Sequence, residues 1–337
     1  MKHICIYHSR DLDGWMSAAI VKLWWDNCYD NNKNTNGNIF SKADFVVEKD
    51  KIRRSDVFSI GDQLFEFLGW DYGDNIPDLS IFDKIIMCDI SFPPDEMNKL
   101  VNVPDDPRFV WIDHHISSIS NPDINDNWIL GLRDPGFAAC ELTWKYLFPK
   151  EDMPELVRLL GRYDCFGHKG TKEEKKVLEF QYGARQFIFD YQTAYFYLSK
   201  EILHRDGAMI SFDSSWDYIH KQGIAIYAYL CTEAKQIYAK AFSFEFKEVI
   251  NGNFVCREFL IVNHERFNPV NFGINYHEHD FDGFGCFWYK KGKWFFSLYN
   301  DDGRVDCSNI AYQYGGGGHK GAAGFQLKNI DSFLNKK

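Results

Sequence analysis

Three short apolar runs, each breaking into a polar loop that carries acids, set the rhythm of the first half of the chain. KHICIYHSRDLDG predicts a buried strand from Ile4 to Tyr7, and GWMSAAIVKLWW then spaces apolar residues as a helix does from Met16 to Trp25. FDKIIMCDI (Phe82 to Ile90) and DPRFVWIDHH (Asp106 to His115) are the second and third runs. AACELTWKYLF (Ala138 to Phe148) and MPELVRLLGRYD (Met153 to Asp164) follow with helical periodicity. Strands alternating with helices predict a parallel sheet, and ligands of such sheets collect outside the carboxyl ends of the strands. That is where the acids fall.

The second half is patterned differently. From about Gln186 to Phe242 the spacing is mostly helical, with a break at DGAMISFDSS. SFEFKEVINGNFVCREFLIVN holds Asn251-Gly252 between two strand-like runs, a hairpin signal, and GCFWYKKGKWFFSLY repeats the arrangement around Lys290 to Lys293. The predicted fold class is therefore α/β: a parallel-sheet N-terminal domain at 1–195, a helical linker at 196–240 and a smaller α+β domain at 241–337. DNNKNTNGN (Asp30 to Asn38) reads as a polar loop without chemistry.

A chain of 337 residues can bury two cores, and 45% hydrophobic with 26% charged residues is ordinary for a soluble globular protein. The formal net charge of −10 opposes long nucleic-acid partners, whose backbone needs a cationic track, but leaves room for a short anion at a local site. The nine cysteines are odd in number and scattered without a Cys-x-x-Cys pair, which argues against a zinc ribbon and for reduced thiols. The N-terminus lacks a signal-peptide core and no apolar run reaches membrane-spanning length, so the expectation is a cytoplasmic protein with no membrane partner.

The chemistry sits at the strand ends. His8, Asp11 and Asp13 share the first loop, Asp89 closes the second strand, Asp113, His114 and His115 close the third, and Asp164 ends a predicted helix. Any one of these has a structural explanation as a cap or a turn residue. Together they are a cluster of carboxylates whose joint ionisation is costly unless cations are present. Oxygen and nitrogen ligands without thiolate suit Mn²⁺, with Mg²⁺ the alternative. Two such ions about 3.5–4 Å apart support phosphoryl transfer to water, with a bridging carboxylate at the centre, and Asp89 is the candidate for it.

YHSRDLDGWMSAA, IIMCDI, WIDHH and GRYD resemble, in order and spacing, the four metal-binding motifs of the DHH phosphoesterase superfamily. GRVDCSNIAYQYGGGGHKGAAGFQL (Gly303 to Leu327) resembles the signature of its substrate-binding DHHA1 domain. The resemblance spans almost the whole chain and looks most like the nanoRNase and cyclic-nucleotide phosphodiesterase branch. It implies that His8 and Asp11 bind one metal ion, that Asp13, His114 and Asp164 bind the other, and that Asp89 bridges. Asp113 would act behind the ligands or on the bridging water, and His115 would contact phosphate. Asp113, His115 and Asp89 are thus the implied catalytic residues.

In YGGGGHKGAAGF, glycines permit backbone shapes that side chains forbid, and successive N–H groups can cradle an anion. Gly316, Gly317, Gly318 and His319 are the candidates, against the alternative of a tight loop packed on AAGF. Two departures from the family stand out. Only Ser9 and Arg10 separate His8 from Asp11, where many members have three residues, and Tyr299 stands where many DHHA1 domains carry an arginine. Arg304 could substitute as a phosphate donor, and Tyr299 could stack on a base.

The expected activity is metal-dependent hydrolysis of short oligoribonucleotides or cyclic nucleotides, releasing 5′-nucleotides. Rivals on the same metal centre are a bisphosphonucleoside phosphatase, a cyclic dinucleotide phosphodiesterase, a pyrophosphatase or exopolyphosphatase, and a single-strand DNA exonuclease. A nucleotide-binding sensor without catalysis would be expected to have lost a ligand, and all six ligand positions are filled. A homodimer is allowed only because small enzymes commonly form one.

Overall fold

A computed structural model describes residues 1–29, 55–60, 62–100, 108–125, 129–205, 207, 214–265 and 267–330. The loop from Asp30 to Asn38 lies outside the described residues, as does most of the predicted break after Arg205. The chain divides into two units, Met1–Ile224 and Ala225–Lys337. No described helix is long and apolar enough to cross a membrane.

In the first unit β1 (Lys2–His8) leads into α1 (Leu12–Tyr29), followed by β2 (Ser55–Ile60), β3 (Gln63–Trp70), β4 (Lys84–Cys88), α2 (Pro94–Lys99), β5 (Phe109–Ile112) and α3 (Ile116–Ile119). Helices α4 (Ala139–Leu147), α5 (Glu155–Asp164), α6 (Glu174–Phe187), α7 (Tyr191–Arg205) and α8 (Ser215–Tyr238) come next, and the division between units falls within α8. The strands form one five-stranded sheet in the order β2-β3-β1-β4-β5. Pairing is parallel from β3 through β5, as the alternation of strands and helices predicts, but β2 adds an antiparallel edge.

Alternation along β1 explains why the sheet is covered on both faces. Ile4 and Ile6 join Ile85, Met87 and Trp111 in one buried cluster. Cys5 and Tyr7 join Phe65, Phe67, Ile86 and Ile112 in another, against Ala18 and Trp25 of α1. Because β1 pairs with β3 on one side and β4 on the other, the chain's direction of travel across the sheet reverses there. A reversal of this kind opens a crevice at the carboxyl ends of the strands. His8 ends β1, Asp89 follows β4 and Asp113 follows β5.

In the second unit β6 (Phe242–Ile250), β7 (Asn253–Asn263), β8 (Gly283–Lys290) and β9 (Lys293–Tyr299) precede α9 (Cys307–Tyr312), β10 (Gly317–His319) and β11 (Ala322–Leu327). They build a six-stranded sheet in the order β10-β11-β9-β8-β7-β6. Both predicted hairpins form. Asn251 and Gly252 sit at φ 51° and 79°, and Lys291 and Gly292 at φ 50° and 80°, the paired left-handed values that a two-residue turn requires.

Candidate metal centre

Each ligand-type side chain is aimed by an identifiable piece of backbone. Asp11 caps α1, its Oδ1 accepting from the Gly14 N–H at 3.0 Å, and this leaves Oδ2 2.7 Å from His8 Nδ1. Asp13 points from α1 to the start of α4, where Cys140 N–H donates to Oδ1 at 2.7 Å and Ala139 N–H to Oδ2 at 2.9 Å. The N-terminus of a helix favours an anion there. Gly14 is required directly after these acids, since a Cβ would lie 2.1 Å from the carbonyl oxygen of His8. Gly14→Ala should therefore displace β1 or α1, lowering stability by roughly 2–3 kcal/mol and weakening Mn²⁺ binding; thermal melts with and without the ion would read both effects.

Asp89 follows β4 directly, at φ 61°, a left-handed conformation that aspartate tolerates better than most residues. It is 1% exposed, and neither carboxylate oxygen has a hydrogen-bond partner among the described residues. One oxygen faces each side of the cluster: Oδ1 lies 3.3 Å from His114 Nε2 and Oδ2 lies 3.5 Å from His8 Nδ1. His114 Nε2 also lies 3.4 Å from Asp164 Oδ2 and 3.6 Å from Asp13 Oδ2.

Asp113 is fully buried and turned onto its own loop. Its Oδ1 accepts from the N–H groups of His114 (2.8 Å) and His115 (3.1 Å), and His115 Nδ1 lies 2.8 Å away. Its contacts orient the two histidines. His115 Nδ1 reaches to 3.8 Å from Asp89 Oδ1.

Three overlapping groups, each with ligand atoms within 4.8 Å of one another, result: His8, Asp11 and Asp89; Asp13, His114 and Asp164; and Asp89, His114 and His115. These residues fit divalent ions on chemistry as well as position. One imidazole nitrogen facing three carboxylates at 3.3–3.6 Å makes no good hydrogen bond to any of them. Atoms bonded to a common ion at about 2.1 Å are spaced by roughly 3–3.5 Å, as these are. His8 Nδ1, despite its short approach to Asp11, likewise lacks a properly directed hydrogen bond.

The charges of the cluster work against one another in the bare protein. Burial, reinforced by Asp89, pushes Asp13 up to about 7, and burial with Asp13 as neighbour does the same for Asp164. Burial and Asp11 raise Asp89 as well. Burial would lower the histidines, but Asp11 and Asp89 outweigh it at His8, and Asp89, Asp13 and Asp164 at His114, raising both to about 10. The metal-free site is a proton store.

Several residues that build this site were not singled out from the sequence. Residues 55–60 and 63–70, which form β2 and β3, lack the clear apolar run that predicts a strand elsewhere in the chain. Asp71 follows β3 as Asp89 follows β4. Its Oδ1 lies 3.7 Å from His8 Nε2, while Arg10 Nε donates to its Oδ2 at 2.5 Å. Ser9 N–H donates to Trp70 O at 3.1 Å, so the short His8-to-Asp11 loop is stitched to the end of β3 and still delivers His8 to the cluster. In GRYD, a Cβ on Gly161 would lie 2.4 Å from Glu141 Cγ, and Arg162 holds the buried Glu141 carboxylate through Nε (3.1 Å) and Nη2 (2.5 Å). This locks α5 against α4 and fixes Asp164.

The candidates in the second unit lie in its own sheet and are partly accounted for by packing. The N–H of Gly316 donates to Ala311 O at 3.0 Å, at the end of α9, so this amide is not free for an anion as expected. Its missing side chain matters instead because a Cβ would lie 2.1 Å from Gly324 O. Gly318, at φ 140°, backs onto Ala323, whereas nothing lies near a Cβ on Gly317. His319 ends β10, the edge strand of the described sheet; its side chain lies outside what is described. Tyr299 ends β9 and packs into the aromatic cluster of Tyr276 and Phe284. Arg304 is held by Asp302 and lies 2.8 Å from His277 Nδ1, so its guanidinium is already engaged by its own loop and by His277.

No family model matches the chain. An uncharacterised protein, R106, of Acanthamoeba polyphaga mimivirus is 27% identical over 267 residues, covering 76% of this chain and 57% of that protein. The chain thus spans little more than half the length of this curated relative. Among solved structures, an exopolyphosphatase-related protein from Bacteroides fragilis matches with a TM-score of 0.46 at 12% identity, over 97% of this chain and 87% of that one. A pGpG-specific phosphodiesterase from Vibrio cholerae matches with a TM-score of 0.41 at 12% identity, over 98% and 95%. These likenesses extend along the chain but are too distant to carry activity.

Proposed function

We propose that the chain is a metal-dependent phosphoesterase that hydrolyses phosphodiester bonds in short oligonucleotides or cyclic nucleotides, releasing 5′-nucleotides. The observation that supports this is the partnerless, buried Asp89 carboxylate, with one oxygen turned to His8 and the other to His114. Two divalent ions, Mn²⁺ or Mg²⁺, held by His8, Asp11, Asp13, Asp89, His114 and Asp164, would supply an activated water and stabilise charge on the phosphoryl group. The chain's own residues do the positioning. α4 fixes Asp13, Asp113 fixes the loop that carries both histidines, and Arg162 with Glu141 fixes α5. Burial opposes charge on His115, but Asp113 and Asp89 favour its cationic form, suited to hold a phosphate oxygen.

The surroundings favour an organic phosphoester over pyrophosphate or polyphosphate. Exposed Tyr72, Ile116 and Phe166 lie within two residues of Asp71, His115 and Asp164, so loops that border the cluster lead straight into apolar surface. A bare inorganic anion makes no use of such groups. A panel of a dinucleotide, a pentanucleotide, cyclic AMP, cyclic di-AMP, bisphosphoadenosine and pyrophosphate, each with Mn²⁺, tests the reading. Turnover of the dinucleotide or cyclic AMP, with pyrophosphate left intact, is expected. Turnover of none of them, with fewer than two ions bound and nucleotide affinity kept, would replace the enzyme by a nucleotide sensor.

A further inference from the structure

We infer that the ring of Tyr72 is the platform on which the substrate's nucleobase stacks. The inference rests on the phosphodiesterase reading above and specifies what recognises the base.

Tyr72 stands one residue beyond Asp71, in the turn after β3. Its ring centroid is 6.4 Å from that of His8, so it borders the cluster directly. The ring rests edge-on against buried Trp70, with centroids 5.8 Å apart, yet the residue stays 55% exposed. Its hydroxyl faces the Ser91 and Ser118 hydroxyls, which bond each other at 2.7 Å. Both serines are nearly buried. The turn is fixed too, because Asp74 N–H donates to Asp71 O at 3.0 Å and Asp71 N–H to Asp74 Oδ2 at 3.2 Å. The arrangement is an aromatic ring packed along one edge on Trp70 and carried by a fixed turn, with much of its surface open to solvent beside the candidate ligands.

A tyrosine that served only packing would be covered, and one that served only as a hydrogen-bond donor would not need an exposed ring. A fixed, open ring suits an aromatic guest, because little order is lost when the guest arrives. Stacking on a base is insensitive to which base it is, so the platform would confer preference for nucleotides as a class.

Calorimetry on the Mn²⁺-loaded protein tests this without turnover, with AMP and ribose 5-phosphate as probes that share a phosphate and differ by a base. The wild type should bind AMP at least about tenfold more tightly than ribose 5-phosphate. Tyr72→Ala and Tyr72→Leu should remove most of that preference by weakening AMP alone, while Tyr72→Phe retains it. All three variants should keep the wild-type metal stoichiometry, and Tyr72→Phe the wild-type melting temperature as well. Equal affinity of the wild type for the two probes, or an unchanged preference in Tyr72→Ala, overturns the inference while leaving the phosphodiesterase reading intact. A wild type that cleaves no dinucleotide or cyclic nucleotide and binds neither probe overturns that reading instead.

Discussion

Asp89→Asn is expected to abolish turnover, to weaken divalent-ion binding by at least ~100-fold, and at the same time to make the metal-free protein more stable. The first two effects follow from position. Among the described residues Asp89 alone faces both halves of the cluster, and even partners outside the ligand shell typically contribute ~10–100-fold to metal affinity. The third follows from burial, since a carboxylate that is 1% exposed, without a donor and close to other acids is costly to ionise. An amide of the same shape removes that cost, and asparagine accepts the left-handed backbone at this position. The gain should be on the order of 1–3 kcal/mol in EDTA at pH 8, read by urea unfolding. Full turnover in the variant, or a metal-free protein weakened by the change, would remove Asp89 from the centre of the account.

The second large effect concerns pH. In the metal-free fold Asp13 and Asp164 titrate at about 7, and His8 and His114 at about 10. Ions must displace these protons, so affinity rises with pH across the range 6–8 and binding acidifies a weakly buffered solution. Stability without metal follows from the same shifts. A carboxyl whose pKa is raised by folding binds more protons folded than unfolded, so its contribution favours the fold at low pH and declines as pH climbs from about 4 towards about 7. The histidines act in the same sense at higher pH: their contribution is complete below about 6.5 and disappears as pH passes through about 10. Calorimetry in buffers of different ionisation enthalpy would count the protons. A Kd for Mn²⁺ that stays flat between pH 6 and 8 would contradict this.

What could be read from the chain, and what could not, has a physical basis. β1, β4 and β5 are buried on both faces, so they appear as unbroken apolar runs, and their acids stand out against them. β3 carries Glu66 in its middle and β2 alternates half-buried with exposed residues, which dilutes the same signal. Asp71 was nonetheless marked as the others were, by an apolar stretch ending in an acid at Trp70-Asp71. The roles of Gly14 and Gly161 depend on contacts with His8 and Glu141, and Glu141 lies 20 positions before Gly161, beyond what local periodicity conveys. The glycine run after Tyr314 advertised flexibility, but its use of Gly316 to close α9 and admit Gly324 was equally compatible with its composition.

The grip of α4 on Asp13 bears on how quickly the protein recovers after chelation. Two main-chain amides keep that carboxylate in place without the help of an ion. Stripped protein therefore needs no refolding to recapture its load. On mixing with fresh Mn²⁺, uptake should follow the shedding of water from the ion rather than any slow rearrangement of the polypeptide.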